Sequence, residues 1–470
     1  MAVSAERQGL GRLMARVHTD RAGLFGVANV GTRMMCAALT AALVALCFSP
    51  ELQGYYYTFA SLLGLQVMAE MGFGQVVIQF AAHEWAHLRM TCGGVPAGEP
   101  AALSRLISLG RLAIAWYALA AIISSGGLIV AGLAFFPAAS KISWRTPWIA
   151  LGLVSGASLA TAPMWLLLEG CNQVTEVYRF RLTESVLSGL GALVAIALGA
   201  GLWTPALAVT TKLFWNVAFL RRRYRKFFRC FIFQPSGPRT NWRYEIWPLQ
   251  WRIALSWLSG YLAFNSLTPV LFHYRGPVIA GQTGMTLSLV VGVQQIAAAW
   301  ALVKAPAMGV SIARRDYRAA DRLAGRLIVS CTALSALAAG AAWLAICGLY
   351  AYRIPWAYRL LPPPTSGLFL LACIPAQAAF PLSVYLRAHK REPLMVPSLL
   401  AGLLIFASAC YLSRAHGAGA IAASYMAITG VAAPLAIGTI WLRARRRWHR
   451  LPSPAAQLSS PLSASLRVGR

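Results

Sequence analysis

The sequence predicts an all-α polytopic membrane protein, and three observations carry that expectation. Hydrophobic residues make up 58% of the 470 positions, charged residues only 12%, and the mean hydropathy is +0.60. Soluble domains carry about 25% charged residues, so an ordinary soluble enzyme is excluded. Twelve apolar segments, at 24–48, 55–82, 111–135, 148–170, 182–202, 204–220, 252–273, 277–303, 327–350, 365–386, 394–413 and 417–441, are of spanning length or close to it; a span needs about 20 residues to cross roughly 30 Å of hydrocarbon. The basic residues are also sorted by side. With a cytoplasmic N-terminus, 34 of the 42 Lys and Arg fall in inner segments and 6 in outer loops, leaving Arg33 and Lys212 within spans. That asymmetry is the positive-inside pattern. An odd error in the number of spans would scramble it, so twelve helices and cytoplasmic N- and C-termini support one another. The net charge of +29 then reports sidedness, not a nucleic-acid partner, which would need a soluble frame to display a basic face.

Each element follows from local composition. The polar stretch Met1–Asp20 precedes the first span, and no short apolar region with a small-residue cleavage site marks a signal peptide. Pro50-Glu51 precedes the second span, and Tyr55-Tyr56-Tyr57, with Trp144 and Trp148 further on, reads as aromatic anchoring at the outer interface. A tight turn around Thr204-Pro205 joins the fifth and sixth segments, 204–220 being the shortest. The basic stretch 221–251, beginning Arg221-Arg222-Arg223-Tyr224-Arg225-Lys226, divides the spans six and six. The expected domains are therefore a six-helix lobe at 1–220, a basic cytoplasmic linker at 221–251, a second six-helix lobe at 252–450 and a disordered tail at 451–470, rich in Ser and Pro. Two halves of six spans share one topology, and a short echo fits duplication: Pro50-x-x-x-Gly54 and Ser61-Leu62 recur as Pro277-x-x-x-Gly281 and Ser288-Leu289. The cluster at 221–229 reads as a topology anchor drawn to anionic lipid head groups, with recognition of an acidic partner as the other reading. Residues 311–326, where Arg314, Arg318, Arg322 and Arg326 repeat every fourth position, read as a short surface helix. Nine cysteines without a CxxC pair lie mostly inside spans and read as packing residues.

Charges inside a span cost about 2.5–3.5 kcal/mol on insertion scales and face a cavity or a partner. Three stand out: Arg33, Glu70 and Lys212, at depths of about 14, 18 and 12 Å from the inner ends of their helices at 1.5 Å per residue. Two cations near mid-membrane suit an anionic head group. The plainer reading is an Arg33–Glu70 ion pair, with Lys212 snorkelling inward. In the second lobe Gln294 and Gln295 offer hydrogen bonds to sugar hydroxyls, or simply to neighbouring helices. No acidic residue lies in the second lobe's spans, which leaves Glu70 as the candidate for ion coupling. Glu169, Glu176 and Glu184 border a loop and read as interfacial. His83-Glu84-Trp85-Ala86-His87 is an HExxH, which on a helix sets two histidines around a zinc with the glutamate as base. A zinc protease needs a third protein ligand, and the aspartates Asp20, Asp316 and Asp321 all lie in basic, loop-like sequence. The plainer reading is a polar exit from the second helix.

Pro50-Glu51-Leu52-Gln53-Gly54-Tyr55-Tyr56-Tyr57, followed by Glu70-Met71-Gly72-Phe73-Gly74, resembles the first-to-second-helix signature of bacterial polysaccharide flippases. These belong to the multidrug/oligosaccharidyl-lipid/polysaccharide exporter superfamily. Ala305-Pro306, Ile312-Ala313-Arg314-Arg315-Asp316-Tyr317 and Asp321-Arg322 are similar to the loop after the eighth helix in such proteins. The resemblance implies a bacterial inner-membrane protein that is not an enzyme and has no cofactor or metal. It implies two lobes that alternate access to a central cavity and carry a lipid-diphosphate-linked oligosaccharide from the inner to the outer leaflet, with membrane lipids and polysaccharide assembly proteins as partners. Arg33 and Lys212 would neutralise the diphosphate, Gln294 and Gln295 would line the path, and Glu70 would pair with Arg33 and carry a coupling proton. Two rivals stand beside it: a drug/cation antiporter of the same superfamily, and an intramembrane zinc protease built on His83, Glu84 and His87.

Overall fold

A bilayer core offers no water to backbone amides, so every N–H and C=O must be satisfied within the segment. The chain meets that constraint with helices almost throughout. A computed structural model describes residues 2–91, 93–138, 140–233, 247–389 and 393–448, and of these leaves the side chains of 2–20, 22, 248, 249, 252, 253 and 256 aside. The expected tail at 451–470 and the stretch 234–246 of the expected linker lie outside the described residues.

Two compact units form, Met1–Tyr261 with Asn265–Gly284, and Leu262–Phe264 with Met285–Arg470. The first contains α1 (Ala2–Cys47), α2 (Pro50–Leu63), α3 (Gln66–Glu70) and α4 (Phe73–Trp85), then an antiparallel hairpin of β1 (Leu88–Met90) and β2 (Pro96–Gly98) with Arg89 opposite Ala97. It continues with α5 (Pro100–Phe135), α6 (Arg145–Ala160), α7 (Ala162–Gly170), α8 (Val174–Ala197), α9 (Thr204–Arg223) and α10 (Arg225–Phe233). Next come α11 (Trp247–Phe264), α12 (Leu267–Arg275) and the first turns of α13 (Pro277–Ala313). The second unit holds the rest of α13, then α14 (Tyr317–Ala351), α15 (Pro363–Ala388), α16 (Met395–Ala415), α17 (Gly417–Tyr425), a π-helical turn at Met426–Ala432, and α18 (Ala433–Trp448). The boundary at Gly284–Met285 lies downstream of the basic stretch expected to divide the lobes. The reason is packing: α12 lies on α2, and the start of α13 crosses α2 at Gly54 and Gly281.

Among the described residues, nine helices are long and apolar enough to cross a membrane, or ten if one bent pair counts as a span. Two of the twelve expected spans fall short of that measure. Segment 204–220 lies in α9, which carries Lys212 and ends on Arg221–Arg223. Segment 252–273 is interrupted between Phe264 and Leu267 into α11 and α12. The bent pair is the second span, Pro50–Glu70 and Phe73–Trp85, which meet at 44°. The bend is local chemistry. Met71 and Gly72 both take left-handed conformations, with φ of 48° and 66°, so the ladder of α3 ends on Glu70 and α4 restarts at Phe73.

Three surface expectations change. Tyr55, Tyr57, Trp144 and Trp148 are buried, not displayed to lipid. Tyr55, Trp144 and Trp148 form an aromatic core with Phe59, Phe136 and Phe272, in which Tyr55 stacks on Phe136 at 5.3 Å and Phe59 meets Trp148 edge-on at 4.8 Å. The Trp148 Nε1–H donates to the Leu128 carbonyl at 2.9 Å, and buried indoles need such a partner. Residues 311–326 are no separate helix. They are the end of α13, a turn with Arg315 at φ 57°, and the first turns of α14, capped by Asp316, whose carboxylate accepts from Ala319 N–H at 3.0 Å. Asp321 is likewise no loop residue: it pairs with Arg445 of α18 at 2.7 Å and accepts from the Tyr385 hydroxyl of α15 at 3.1 Å.

Candidate functional site

A cavity of about 350 Å³ opens inside the first unit, between α2–α3, α6–α7, α8 and α9. The helix break delivers Glu70 to it, since the last residue of α3 points where the ladder stops. Gln66, one turn earlier, also lines it and donates from Nε2 to the Ser155 carbonyl at 2.9 Å. From the α6–α7 junction come Ser155, Ser158, Thr161 and Trp165, from α8 Phe180, Arg181 and Glu184, and from α9 Lys212 and Asn216. Pro163 in the first turn of α7 restarts the helix after Thr161, as proline at such a position does.

Charges in the cavity are arranged in pairs. Lys212 Nζ lies 3.4 Å from Glu184 Oε1, and Arg181 donates to Glu169 Oε2 at 2.7 Å. Glu70 is half-buried, feels the charge of Lys212 and faces Tyr117 of α5. Three further polar atoms of the wall are buried and lack a hydrogen-bond partner among the described residues: Ser155 Oγ, the Trp165 Nε1–H and Asn216 Oδ1. A native interior satisfies nearly all such groups. A hydroxyl, a donor and an acceptor are thus left over together in the wall of one cavity. Trp165 and Phe180 stack at 3.8 Å and 8°, and form its apolar side.

The expected site residues separate. Glu70 and Lys212 meet in this cavity. Arg33 does not: by register it follows Asn29, which accepts from Ser185 Oγ at 2.7 Å along the α1–α8 seam, yet its side chain is exposed and lines no part of the cavity. The expected Arg33–Glu70 pair is absent among the described residues, and Lys212, expected to snorkel, is engaged by Glu184 instead. Gln294 and Gln295 belong to the second unit. Gln294 is half-buried beside Cys373 and Tyr425, and Gln295 is exposed.

Sequence reasoning missed Arg181, Glu184, Glu169 and Asn216. A signal for Glu184 was present: segments 182–202 and 204–220, joined by a tight turn, form a helical hairpin, and an acid on one arm is a natural partner for a lysine on the other.

The HExxH residues are drawn apart by the end of their helix. α4 stops at Trp85, so His87 leaves the face that carries His83. Glu84 is buried and paired with Arg105 Nε at 2.9 Å, while His87 Nδ1 lies 3.6 Å from Glu99 across the hairpin base. Among the described residues no group of three His, Cys, Asp or Glu is placed to hold a metal ion. Among the described residues this geometry gives the zinc-protease reading no support.

No family model and no curated protein matches the chain. Solved structures do match in fold. An inward-facing multidrug resistance MATE family transporter of the MOP superfamily superposes with a TM-score of 0.65 at 12% identity, covering 89% of this chain and 98% of that one. The lipid II flippase MurJ in an inward closed conformation gives 0.55 at 12% identity, covering 88% and 86%. A MOP superfamily transporter from Pyrococcus furiosus gives 0.54 at 13% identity, covering 93% and 96%. At these identities the likeness is one of architecture, and in architecture this chain is a polytopic α-helical membrane protein with the fold of the MOP superfamily transporters.

Proposed function

We propose that this chain is a transporter of the bacterial inner membrane that moves a lipid-diphosphate-linked oligosaccharide or polysaccharide unit by alternating access, with both termini in the cytoplasm. The observation that carries this reading is the composition of the first unit's cavity. It sets two cations, Lys212 and Arg181, beside the unpartnered Ser155 Oγ, Trp165 Nε1–H and Asn216 Oδ1. That combination complements phosphate oxygens and sugar hydroxyls together. In this scheme the head group enters with Lys212 and Arg181 turning from Glu184 and Glu169 toward the diphosphate. A proton taken up by Glu70 or Glu184 offsets the carboxylates left behind. The role first given to Arg33 passes to Arg181, because Arg33 lies outside the cavity. Gln294 and Gln295 remain candidates for a path through the second unit. No step makes or breaks a covalent bond in the substrate, and the expected partners are bilayer lipids and the proteins that assemble the glycan.

Export complementation in a strain lacking its own flippase tests the reading. Lys212→Ala and Arg181→Ala at normal membrane abundance are expected to abolish export, and Arg33→Ala to keep it. Full export by both cavity variants overturns the proposal. A drug/cation antiporter is the second reading, favoured by the carboxylates Glu70 and Glu184, which line the cavity in the same number as its cations. It predicts drug resistance and substrate-dependent ion flux in proteoliposomes without any glycan defect.

A further inference from the structure

The bend between α9 and α10 puts an amphipathic helix in an unusual position. Over Arg221–Phe233 the side chains of Arg221, Arg222, Arg223, Arg225 and Lys226 are exposed, while Tyr224, Phe227, Cys230 and Phe231 are buried. An amphipathic helix at a membrane surface ordinarily sinks its apolar face among acyl chains. Here that face is already occupied by protein. Phe227 and Phe231 belong to the core formed with Leu106, Leu109 and Leu167. Phe231 lies flat against Gly110 of α5, where a β-carbon would collide with its ring, and Arg111 Nε donates to the Phe231 carbonyl at 2.7 Å. The rings of Phe219, Tyr224 and Phe227 continue one another at 6.0 and 6.5 Å and hold the bend itself. The run from Thr204 to Phe233 contains no Asp or Glu, and Glu176 is a carboxylate whose charge reaches Tyr224.

We infer that the α9–α10 elbow is a fixed binding surface for the phosphate head groups of anionic phospholipids. Six cations, Arg229 of α10 among them, are presented on a rigid support without insertion of the helix into acyl chains, so the surface reads head-group charge and depends little on lipid packing. Such binding is salt-sensitive, because it rests on exposed charges. It is independent of what the transport cavity carries.

The test uses the immobilised full-length chain, equilibrated with mixed micelles holding equal phosphatidylglycerol and phosphatidylcholine, washed, and extracted for lipid quantification. The unaltered protein is expected to retain phosphatidylglycerol over phosphatidylcholine by roughly fivefold at low salt, and to lose most of that preference in high salt. R221Q/R222Q/R225Q/K226Q is expected to bring the ratio close to unity. R443Q/R446Q/R447Q removes exposed charge from α18 and is expected to leave it unchanged. A preserved preference in the elbow variant overturns the inference, and so does equal loss in the α18 variant, which would reflect net charge alone. Selective stripping of the lipid by millimolar inorganic phosphate assigns the surface to free phosphate and also overturns it. If the fourfold variant aggregates, R222Q/K226Q is expected to lower the ratio and R222K to keep it; any other pattern counts against the site.

Discussion

Gly54→Ala is expected to destabilise the protein, against the usual preference of helices for alanine. Gly54 and Gly281 are the equivalent glycines of the repeated Pro-x-x-x-Gly motif, and the structure brings them into direct contact. A β-carbon built on Gly54 would sit 2.5 Å from the Pro277 carbonyl carbon, 2.8 Å from its Cα and nearer still to its oxygen. All are backbone atoms, so no side chain can swing away. Carbon atoms prefer about 3.5–4.0 Å, and the two helices must part by roughly 1 Å or more. That separation strains the 3.0 Å bond from Gln53 Nε2 to the Gly281 carbonyl, whose net worth is about 0.5–1.5 kcal/mol. Overpacking adds about 1–3 kcal/mol, and helix propensity returns about 0.5–1 kcal/mol. The balance is a loss of about 0.5–4 kcal/mol, centred on about 2 kcal/mol. Thermal unfolding in detergent measures it, with Gly126→Ala as the control. Gly126 is also helical, but nothing lies within 4 Å of its missing β-carbon, so that substitution should raise the midpoint. A Gly54→Ala midpoint equal to or above the unaltered protein, with Gly126→Ala raised as expected, would refute the close crossing.

Met71→Gly should stabilise by about 1 kcal/mol, because Met71 holds φ 48° at the helix break and the left-handed region costs a β-carbon about that much; an unchanged or lower midpoint contradicts the break. The Asp321–Arg445 pair is partly exposed, at 20% and 41%, so a double-mutant cycle should return a coupling of about 0.5–1.5 kcal/mol. A value near zero would mean that α18 is held by packing alone. Glu84→Gln should weaken the contact with Arg105 and lower the melting midpoint, and the unaltered protein should purify without stoichiometric zinc; stoichiometric zinc that His83→Ala and His87→Ala remove would restore the protease reading. Glu184→Gln and Lys212→Ala should be strongly non-additive in transport, since each acts through the other; independent, additive losses would separate them.

The break at Glu70 shows how far a pattern of residue types reaches. Hydropathy alone makes 55–82 a single span, because Met71 and Gly72 are apolar enough to continue it. What ends the ladder is a pair of backbone dihedrals, and no average over residue types reports those. The aromatic residues show the same limit in another form. Tyr55 and Trp148 suit a lipid interface and a packed core equally well, and only the arrival of Phe136 and Phe272 against them decides between the two. Fold class, by contrast, rests on apolar length and composition summed over the whole chain, so no single misplaced residue disturbs it. The fold class was legible for that reason, and the site was legible only in Glu70 and Lys212, the two residues whose cost in lipid demanded an explanation.

That cost also explains where the site reading went astray. A charge in a span was expected to find a partner among the other charges of the spans, and Arg33 was matched to Glu70 on depth. Depth fixes one coordinate of a side chain and leaves its direction around the helix free. Arg33 points outward from α1, while Glu184 and Arg181 reach the cavity from α8 at its side. Glu184's position near a loop in the sequence made it look interfacial. In the structure Glu184 supplies the counter-charge that lets Lys212 sit within the bundle, and Glu169 does the same for Arg181. If the cavity binds an anion, its affinity is set by how readily those counter-charges let go: Lys212 must exchange Glu184 for the ligand, so a Glu184→Gln variant should bind an anionic head group more tightly and release it more slowly. Retained or weaker binding by that variant would mean that Lys212 is a structural residue, and that the ligand is read by the unpartnered hydroxyl, indole and amide of Ser155, Trp165 and Asn216 alone.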